Sequence, residues 1–335
     1  MASEQLVEVV RGNLVESIHN GHIAVVDYKG RLLASKGDVE KVIFARSSMK
    51  PLQAIPIIET GASETFHFTD ADLSLACASH NGEAQHTDRV QALLEQMKLE
   101  VNDLQCGTHP PRWRAADELL MQKGVPITPI YNNCSGKHSG MLATALQMNE
   151  SIEDYYLPEH PVQQRILQVV HELTETPIDD IEIGIDGCGV PVHGVPIKNL
   201  AHAFAKMAKP VDENEVRRAA IEKVTHAMMS APEMVGGTKR FCTDFMRAEK
   251  GRMFGKVGAE GVYCIGDIET GIGIALKIED GNARATSAVA LAVLEQMDLL
   301  TDKVKEQLAD YYRPTLKNAR DEEIGCIRPS FVLEK

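Results

Sequence analysis

Strand-like segments at the two ends of this chain enclose a long stretch of helical pattern. Near the N-terminus, apolar residues in 14–18 and 23–28 flank an Asn-Gly pair at 20–21, which favours a tight hairpin turn. Strand patterns return at 262–265 and 272–278. Because these strands need partners, we expect an α/β (α+β) fold in which N- and C-terminal strands build one antiparallel sheet packed with helices.

The helical middle predicts a subdomain rather than a second domain. A helix is expected from Thr69, with Thr69 as N-cap and Asp72 three positions on, a pattern that resembles a capping box. Further helical segments follow without a low-complexity linker or a fixed-period repeat. We therefore predict a single domain over residues 1–335, with a helical subdomain formed by roughly 69–230.

Charge and cysteine usage exclude several classes of function. With 35 Lys+Arg against 48 Asp+Glu the formal net charge is −13, which argues against a nucleic-acid-binding surface. Residues 1–5 lack the basic start of a secretory signal, and apolar runs such as 288–294 are far shorter than the ~20 residues that span a bilayer. The seven cysteines contain no C-x-x-C pair, which predicts reduced thiols and a cytoplasmic protein.

Residues 46–51, Arg-Ser-Ser-Met-Lys-Pro, contain a serine and a lysine at the spacing used for lysine-activated nucleophiles. If Ser47 caps a helix, Lys50 lies one turn on and on the same face, and Pro51 supports that helix start. To act as a base near neutral pH, the amine needs its pKa lowered from ~10.4 to about 7. The alternative is an ordinary N-cap serine with a solvated lysine.

The segment 77–87 places Ser79 after an apolar helix and just before Asn81-Gly82. Such a turn presents a hydroxyl and backbone N–H groups to a cleft. It is equally typical of a plain helix C-terminus. The segment matches neither zinc-protease motif.

The segment 131–140 gathers several reactive residue types before an apolar helix. It lacks the first glycine and the Ser/Thr of a phosphate-binding loop, and it lacks the G-x-S-x-G pattern of a nucleophile elbow. Cys134 and Lys137 remain, spaced to share one helix face. They are a candidate ligand pair, or a thiolate beside an ammonium.

Two glycine-rich segments complete the set. In 185–191, Asp186 and Cys188 lie in a glycine-flanked turn after a strand, where small neighbours permit close approach of a ligand. A mere tight turn is the alternative. The segment 255–261, which contains Lys256, is by itself typical of a solvated glycine loop.

Together these segments resemble the rhizobial-type (class 3) L-asparaginases. The resemblance covers nearly the whole chain and is carried, in this order, by R-S-S-M-K-P, C-A-S-H-N-G-E, C-G-T-H-P-P, N-N-C-S-G-K-H-S-G and D-G-C-G-V-P. That family is similar in fold to serine β-lactamases and penicillin-binding proteins. The resemblance implies an amidohydrolase that converts L-asparagine to L-aspartate and ammonia.

The same resemblance implies roles for particular residues. It implies two serine–lysine tandems, Ser47 with Lys50 and Ser79 with Lys256, beside a zinc ion. The implied zinc ligands are Cys134, Lys137 and Cys188. The implied substrate-binding residues are His138 and Asp186, to which we add Arg46. We assign the substrate α-ammonium to Asp186 and the α-carboxylate to Arg46. The K-T-G triad of the wider superfamily is absent, and Lys256-Val257-Gly258 takes its place.

Other functions stay open at this point. The chain could be a serine hydrolase of β-lactamase or esterase type acting on another amide or ester. Cys134 could be the nucleophile, with its pKa lowered by Lys137 or His138. A zinc-stabilised module that binds an amino acid without hydrolysing it is the non-enzymatic alternative. A homodimer is the default expectation for a soluble enzyme of this size.

Overall fold

The computed structural model describes residues 2–335, and the chain divides into two compact units. The first unit contains residues 2–48, 195–209 and 248–335. The second contains residues 49–194 and 210–247. The prediction of a single domain over 1–335, with a helical subdomain at roughly 69–230, stays a prediction.

The strands and helices of the described residues follow in chain order. The strands are β1 (Glu4–Arg11), β2 (Leu14–Asp27), β3 (Leu32–Lys36), β4 (Val42–Phe44), β5 (Glu182–Ile185), β6 (Pro191–Pro196), β7 (Met253–Gly258), β8 (Val262–Asp267), β9 (Ile272–Ile278), β10 (Thr315–Lys317) and β11 (Glu323–Pro329). The helices are α1 (Lys50–Glu59), α2 (Ala62–Thr65), α3 (Asp70–Ala76), α4 (Ala84–Met97), α5 (Arg114–Lys123), α6 (Ser135–Gln147), α7 (Pro161–Thr174), α8 (Ile197–Ala208), α9 (Glu215–Ser230), α10 (Pro232–Val235), α11 (Phe241–Glu249), α12 (Thr286–Gln296), α13 (Asp302–Gln307) and α14 (Ala309–Tyr312).

An antiparallel sheet forms the centre of the first unit. Its strand order is β10-β11-β1-β2-β9-β8-β7, and β3 also pairs with β2. Strand β1 pairs with β11, so that Val7 lies opposite Pro329 and the two ends of the chain meet. Helices α8 and α12 pack on this sheet. The predicted fold class, an antiparallel sheet built from N- and C-terminal strands and packed with helices, is confirmed.

The expected turn at Asn20-Gly21 is wrong, because β2 continues through both residues. A Cβ atom at Gly21 would lie 2.1 Å from the carbonyl oxygen of Lys277 on β9. The glycine is therefore needed for close approach of two strands and not for a turn. The actual reversal between β1 and β2 is at Gly12, where φ is +56°.

The second unit is mainly helical. Helix α3 begins with the predicted capping box, in which the Asp72 N–H donates to the Thr69 hydroxyl and the Thr69 N–H donates to the Asp72 carboxylate. Helix α6 is buried from Ser135 to Ala145 and packs against α1 and α3. A Cβ atom at Gly136 would lie 2.3 Å from the carbonyl oxygen of Leu75, so the glycine allows α6 to approach α3 closely.

No helix within residues 2–335 is long and apolar enough to cross a membrane.

Candidate active site

A lysine and a serine contact each other in the interior of the second unit. Lys50 begins α1 and is fully buried, and Ser79 follows α3 and is 3% exposed. The Lys50 Nζ lies 3.2 Å from the Ser79 Oγ and also donates to the carbonyl oxygen of Ala78. The Ser79 N–H donates to the carbonyl oxygen of Val235 at 2.9 Å. The amine is thus held against a hydroxyl, as activation of an oxygen nucleophile or a proton relay requires.

Ser47 was predicted to be the N-cap of the helix that contains Lys50, and this prediction is wrong. A 3-10 turn occupies Arg46–Met49, and Met49 is the N-cap of α1 without a side-chain hydrogen bond. Within that turn the Ser48 hydroxyl donates to the carbonyl oxygen of Ala45 at 2.7 Å. The expectation fails because a tighter turn precedes the helix, which moves its start from Ser47 to Lys50. Pro51 lies in the first turn, as predicted.

The three predicted metal ligands form a second cluster in the same unit. Cys134 is the N-cap residue of α6, Lys137 lies in the first turn of that helix, and Cys188 lies between β5 and β6. The Lys137 Nζ donates to the Cys188 Sγ at 3.0 Å, and the Cys134 thiol also hydrogen-bonds to Cys188. All three are buried, with Cys134 and Cys188 each 4% exposed and Lys137 3% exposed.

This cluster concentrates negative charge on one sulfur. The hydrogen bond from Cys134 and the charge of Lys137 lower the pKa of Cys188 to about 4, against the opposing effect of burial. The pKa of Cys134 rises to about 12, because its thiol hydrogen-bonds to Cys188 and is buried. Burial alone would lower the pKa of Lys137, but the two sulfurs outweigh it and raise that pKa. Cys188 is therefore a thiolate paired with an ammonium, and Cys134 is a thiol.

The donor set of this cluster fits a zinc ion. Two sulfurs and one nitrogen are ligands that zinc accepts, and they lie in mutual contact. Cys134 and Lys137 must each lose a proton before they can bind a metal. Among residues 2–335 no group of three or more His, Cys, Asp and Glu side chains is arranged to hold a metal ion. A site here would therefore depend on the lysine as its third protein ligand.

Two predicted substrate-binding residues lie beside the thiol cluster. His138 follows Lys137 on α6 and is fully buried, and burial together with the charge of Lys137 holds its pKa well below the ordinary value. Asp186 is half-buried in the turn after β5, where its carboxylate accepts the Gly187 N–H at 2.9 Å. The charge of Asp186 helps to raise the pKa of Lys137. The second unit thus brings together Lys50 with Ser79, and the thiol cluster with His138 and Asp186.

The other predicted residues belong to the first unit. Ser47 is half-buried, and the guanidinium of Arg46 lies 4.0 Å from the Glu260 carboxylate. Lys256 is fully buried in β7, not in a solvated glycine loop as its segment alone indicated. The expectation fails because residues 253–258 pair with β8, which places Lys256 opposite Cys264. The Lys256 Nζ donates to the carbonyl oxygen of Val257 at 2.9 Å.

Comparison with known families identifies the family of this chain. The model of the family described as L-asparaginase II matches residues 7–329. The chain belongs to the L-asparaginase II family. Family membership confirms the predicted resemblance and supports a hydrolase of the asparaginase type. The zinc ion, the homodimer and the cytoplasmic location stay predictions.

Solved structures similar to this L-asparaginase II family member include a β-lactamase from Mycobacterium bovis, with 14% identity, a TM-score of 0.43, and 87% of this chain and 95% of that chain covered. They also include the D-alanine carboxypeptidase AmpC from Burkholderia cenocepacia, with 12% identity, a TM-score of 0.38, and coverage of 87% and 92%. No curated protein sequence matches the chain. At such identities and TM-scores these similarities carry no argument about function, which rests on the family match.

Two residues of the site were missed by sequence reasoning. His80 accepts the Gly82 N–H at its Nδ1 and bonds the Ser135 hydroxyl at 2.9 Å through Nε2, so it ties the loop after α3 to the start of α6. The Tyr155 hydroxyl hydrogen-bonds to His138, and Tyr155 lies outside all the motifs found in the sequence. The position of His80 in the C-A-S-H-N-G-E run was a usable signal, whereas Tyr155 had none.

Proposed function

We propose that this chain hydrolyses the side-chain amide of L-asparagine to give L-aspartate and ammonia, with Ser47 as nucleophile and Lys50 as its base. Family membership supports the reaction class. The observation that carries the lysine chemistry is the 3.2 Å contact between the Lys50 Nζ and the Ser79 Oγ in a buried environment. An amine held against a serine hydroxyl is placed to take up and return the hydroxyl proton.

In the proposed sequence the Ser47 oxygen attacks the amide carbon and Lys50 takes the hydroxyl proton. The C–N bond then breaks as the nitrogen receives a proton. Ammonia departs, and a β-aspartyl ester remains on Ser47. Water attacks that ester, loses a proton, and restores the serine while L-aspartate leaves. Ser79 and Lys256 relay these protons in the proposal. Each step needs a proton donor or acceptor near its operating pKa.

Substrate recognition is proposed to divide among three residues. The Asp186 carboxylate has the charge to bind the α-ammonium, and the Arg46 guanidinium has the charge to bind the α-carboxylate. His138 lines the pocket. The half-buried position of Asp186 and its electrostatic effect on Lys137 support placing it beside the reacting groups.

We also propose zinc at Cys134, Lys137 and Cys188. When bound there, zinc would act as a Lewis acid and would fix the orientation of the pocket wall. The chain's own contribution is to hold two sulfurs and one amine in contact in a buried place. Elemental analysis of the purified protein beside Cys134→Ser and Cys188→Ser tests the site. Metal in the wild type and its loss in both variants are expected, and a metal-free active wild type contradicts a catalytic role for zinc.

The reaction itself is tested by ammonia release with L-asparagine, L-glutamine and D-asparagine. The Ser47→Ala variant is expected to lose at least about 10³-fold in kcat, because the nucleophile is gone. Ser48→Ala is the matched control, since its hydroxyl donates to the carbonyl oxygen of Ala45 and has no role in the proposed reaction. An unimpaired Ser47→Ala enzyme contradicts the scheme.

Ser79 is the alternative nucleophile, and the Lys50–Ser79 distance favours it specifically. Rapid quenching with substrate, followed by mass spectrometry of the peptides, identifies the acylated residue. An ester on Ser47 supports the proposal. An ester on Ser79 exchanges the roles of the two serines, and a thioester on Cys134 replaces the serine mechanism altogether.

A further inference from the structure

A buried tyrosine and a buried histidine form a closed pair in the second unit. The His138 Nδ1 lies 2.6 Å from the Tyr155 hydroxyl oxygen, and both residues are fully buried. Their rings pack edge to face at a centroid distance of 5.5 Å. The other ring nitrogen of His138, Nε2, is buried and has no hydrogen-bond partner among residues 2–335. An unpartnered buried polar atom in a candidate active site points to a group that binds there.

The hydrogen bonds around Tyr155 determine which way its proton points. The backbone N–H of Gln105 donates to the Tyr155 oxygen at 2.9 Å. The Gln105 N–H can only donate, so of the two groups that contact this oxygen the His138 Nδ1 is the one that can accept the Tyr155 O–H proton. A ring nitrogen that accepts a hydrogen bond carries no proton in neutral imidazole, which leaves the proton on Nε2.

We propose that Tyr155 is a positioning residue that fixes His138 as the Nε2–H tautomer, so that Nε2–H donates a hydrogen bond to an acceptor oxygen of the substrate. The inference rests on the proposed function only in taking the ligand to be the amino-acid substrate. A ring whose Nδ1 accepts the Tyr155 hydrogen bond offers a directional N–H donor at the buried Nε2. Donors of this kind favour oxygen acceptors over ammonium groups, which separates the role of His138 from that of Asp186.

The tautomer is measurable without substrate. Nitrogen-15 spectra of histidine side chains in the purified wild type are expected to show His138 with a protonated Nε2 and an unprotonated Nδ1. The signal is assigned by its disappearance in His138→Gln, among the 12 histidines of the chain. Tyr155→Phe is expected to convert this signal to a mixture of tautomers. A protonated Nδ1 in the wild type, or an unchanged signal in Tyr155→Phe, overturns the inference.

Kinetics with L-asparagine separate positioning from structural damage. Tyr155→Phe should raise KM roughly 3- to 10-fold with a smaller change in kcat, because one hydrogen bond to the bound substrate is weakened. Tyr156→Phe is the matched control, since it removes the hydroxyl of the neighbouring, half-buried tyrosine and should leave KM unchanged. A thermal melt of both variants checks that the fold is retained.

Replacement of His138 gives the rescue test. The side-chain amide of Gln can present an N–H near the position of Nε2, whereas the shorter Asn cannot. His138→Asn should raise KM more than about tenfold, and His138→Gln should keep KM at least about threefold lower than His138→Asn. Equal losses in the two variants overturn the donor role. A wild type that releases no ammonia from L-asparagine refutes the proposed function instead, and the tautomer measurement still stands by itself.

Discussion

The second unit contains two buried lysines whose surroundings differ sharply. Lys50 contacts a hydroxyl and a carbonyl oxygen, at Ser79 and Ala78, and both of these are neutral. Lys137 contacts the sulfur of Cys188, which carries negative charge. Both lysines are at least 97% buried, with exposures of 0% and 3%. Burial is therefore common to the two sites, and the difference lies in the contacted atoms.

Because their contacts differ, the two lysines are suited to different chemistry. A thiolate stabilises the ammonium form, so Lys137 keeps its proton as the partner of Cys188 until a metal displaces it. The hydrogen-bond partners of Lys50 carry no charge, and one of them is a serine hydroxyl, so Lys50 is the better candidate for proton transfer. The following experiments test whether the two lysines separate in this way.

Replacement of Lys50 should have the largest effect on catalysis. Lys50→Met keeps an unbranched side chain of similar length and removes the amine, and kcat is expected to fall about 10²- to 10⁴-fold because the general base is lost. Ammonia release under saturating L-asparagine measures it. Lys123→Met, at an exposed position near the end of α5, is the control and should have wild-type kcat. Retention of wild-type kcat in Lys50→Met would remove this lysine from the mechanism.

Replacement of Asp186 should affect binding more than turnover. Asp186→Ala removes the carboxylate proposed for the α-ammonium, and KM is expected to rise roughly 10- to 100-fold, the usual range for a lost hydrogen bond to a charged group. Initial rates over a wide range of L-asparagine concentrations separate KM from kcat. Glu182→Ala, an exposed carboxylate on β5, serves as comparison. An unchanged KM would exclude Asp186 from the pocket.

Replacement of Lys137 should affect metal content more than chemistry. In Lys137→Met we expect zinc affinity to fall more than about 100-fold, since loss of a direct ligand exceeds the 10- to 100-fold typical of a residue that only supports one, with a smaller loss of kcat than in Lys50→Met. Elemental analysis after dialysis against a competing chelator gives the affinity. The comparison between the lysines fails if Lys137→Met loses as much kcat as Lys50→Met while its zinc content is unchanged.

The charge on Cys188 should respond to pH in a defined direction. Its pKa in the folded protein is lowered from 9.0 to about 4. A lowered pKa contributes stability that is fully present above the unfolded value and is lost as pH falls through the folded value, here from about pH 9 to about pH 4. In metal-free Lys137→Met the midpoint should move upward by about one pH unit or more, because the ammonium is gone. Thiolate absorbance of each metal-free protein minus its Cys188→Ser counterpart measures the midpoint, and identical midpoints with and without Lys137 contradict the ion pair.

Local rules predicted the elements that depend on neighbours in sequence. The capping box at Thr69 and Asp72 forms as expected at the start of α3. Rules of this kind hold where the hydrogen bonds that decide an element join residues a few positions apart. The sequence also predicted that N- and C-terminal strands form one sheet, because strand patterns occur at both ends of the chain and helical patterns lie between them.

The failures arise where distant segments decide local structure. The Asn-Gly pair at 20–21 became strand because Lys277 packs against it, and the glycine segment around Lys256 became strand because β8 pairs with it. A third case is the contact of Tyr155 with His138, which no spacing indicates. Each outcome depends on a contact with a strand or ring from a distant part of the chain. A local sequence pattern carries no information about such a contact.

The sequence by itself determined the types of elements, the two-ended sheet, the family and the set of reactive residues, because periodicity and motif order are properties of the chain. Only the tertiary structure decided that Lys50 contacts Ser79 and that Cys188, rather than Cys134, carries the charge. Hydrogen bonds and charge interactions depend on separations of a few ångströms between atoms. Such separations between residues 29 or 51 positions apart exist only after the chain has folded.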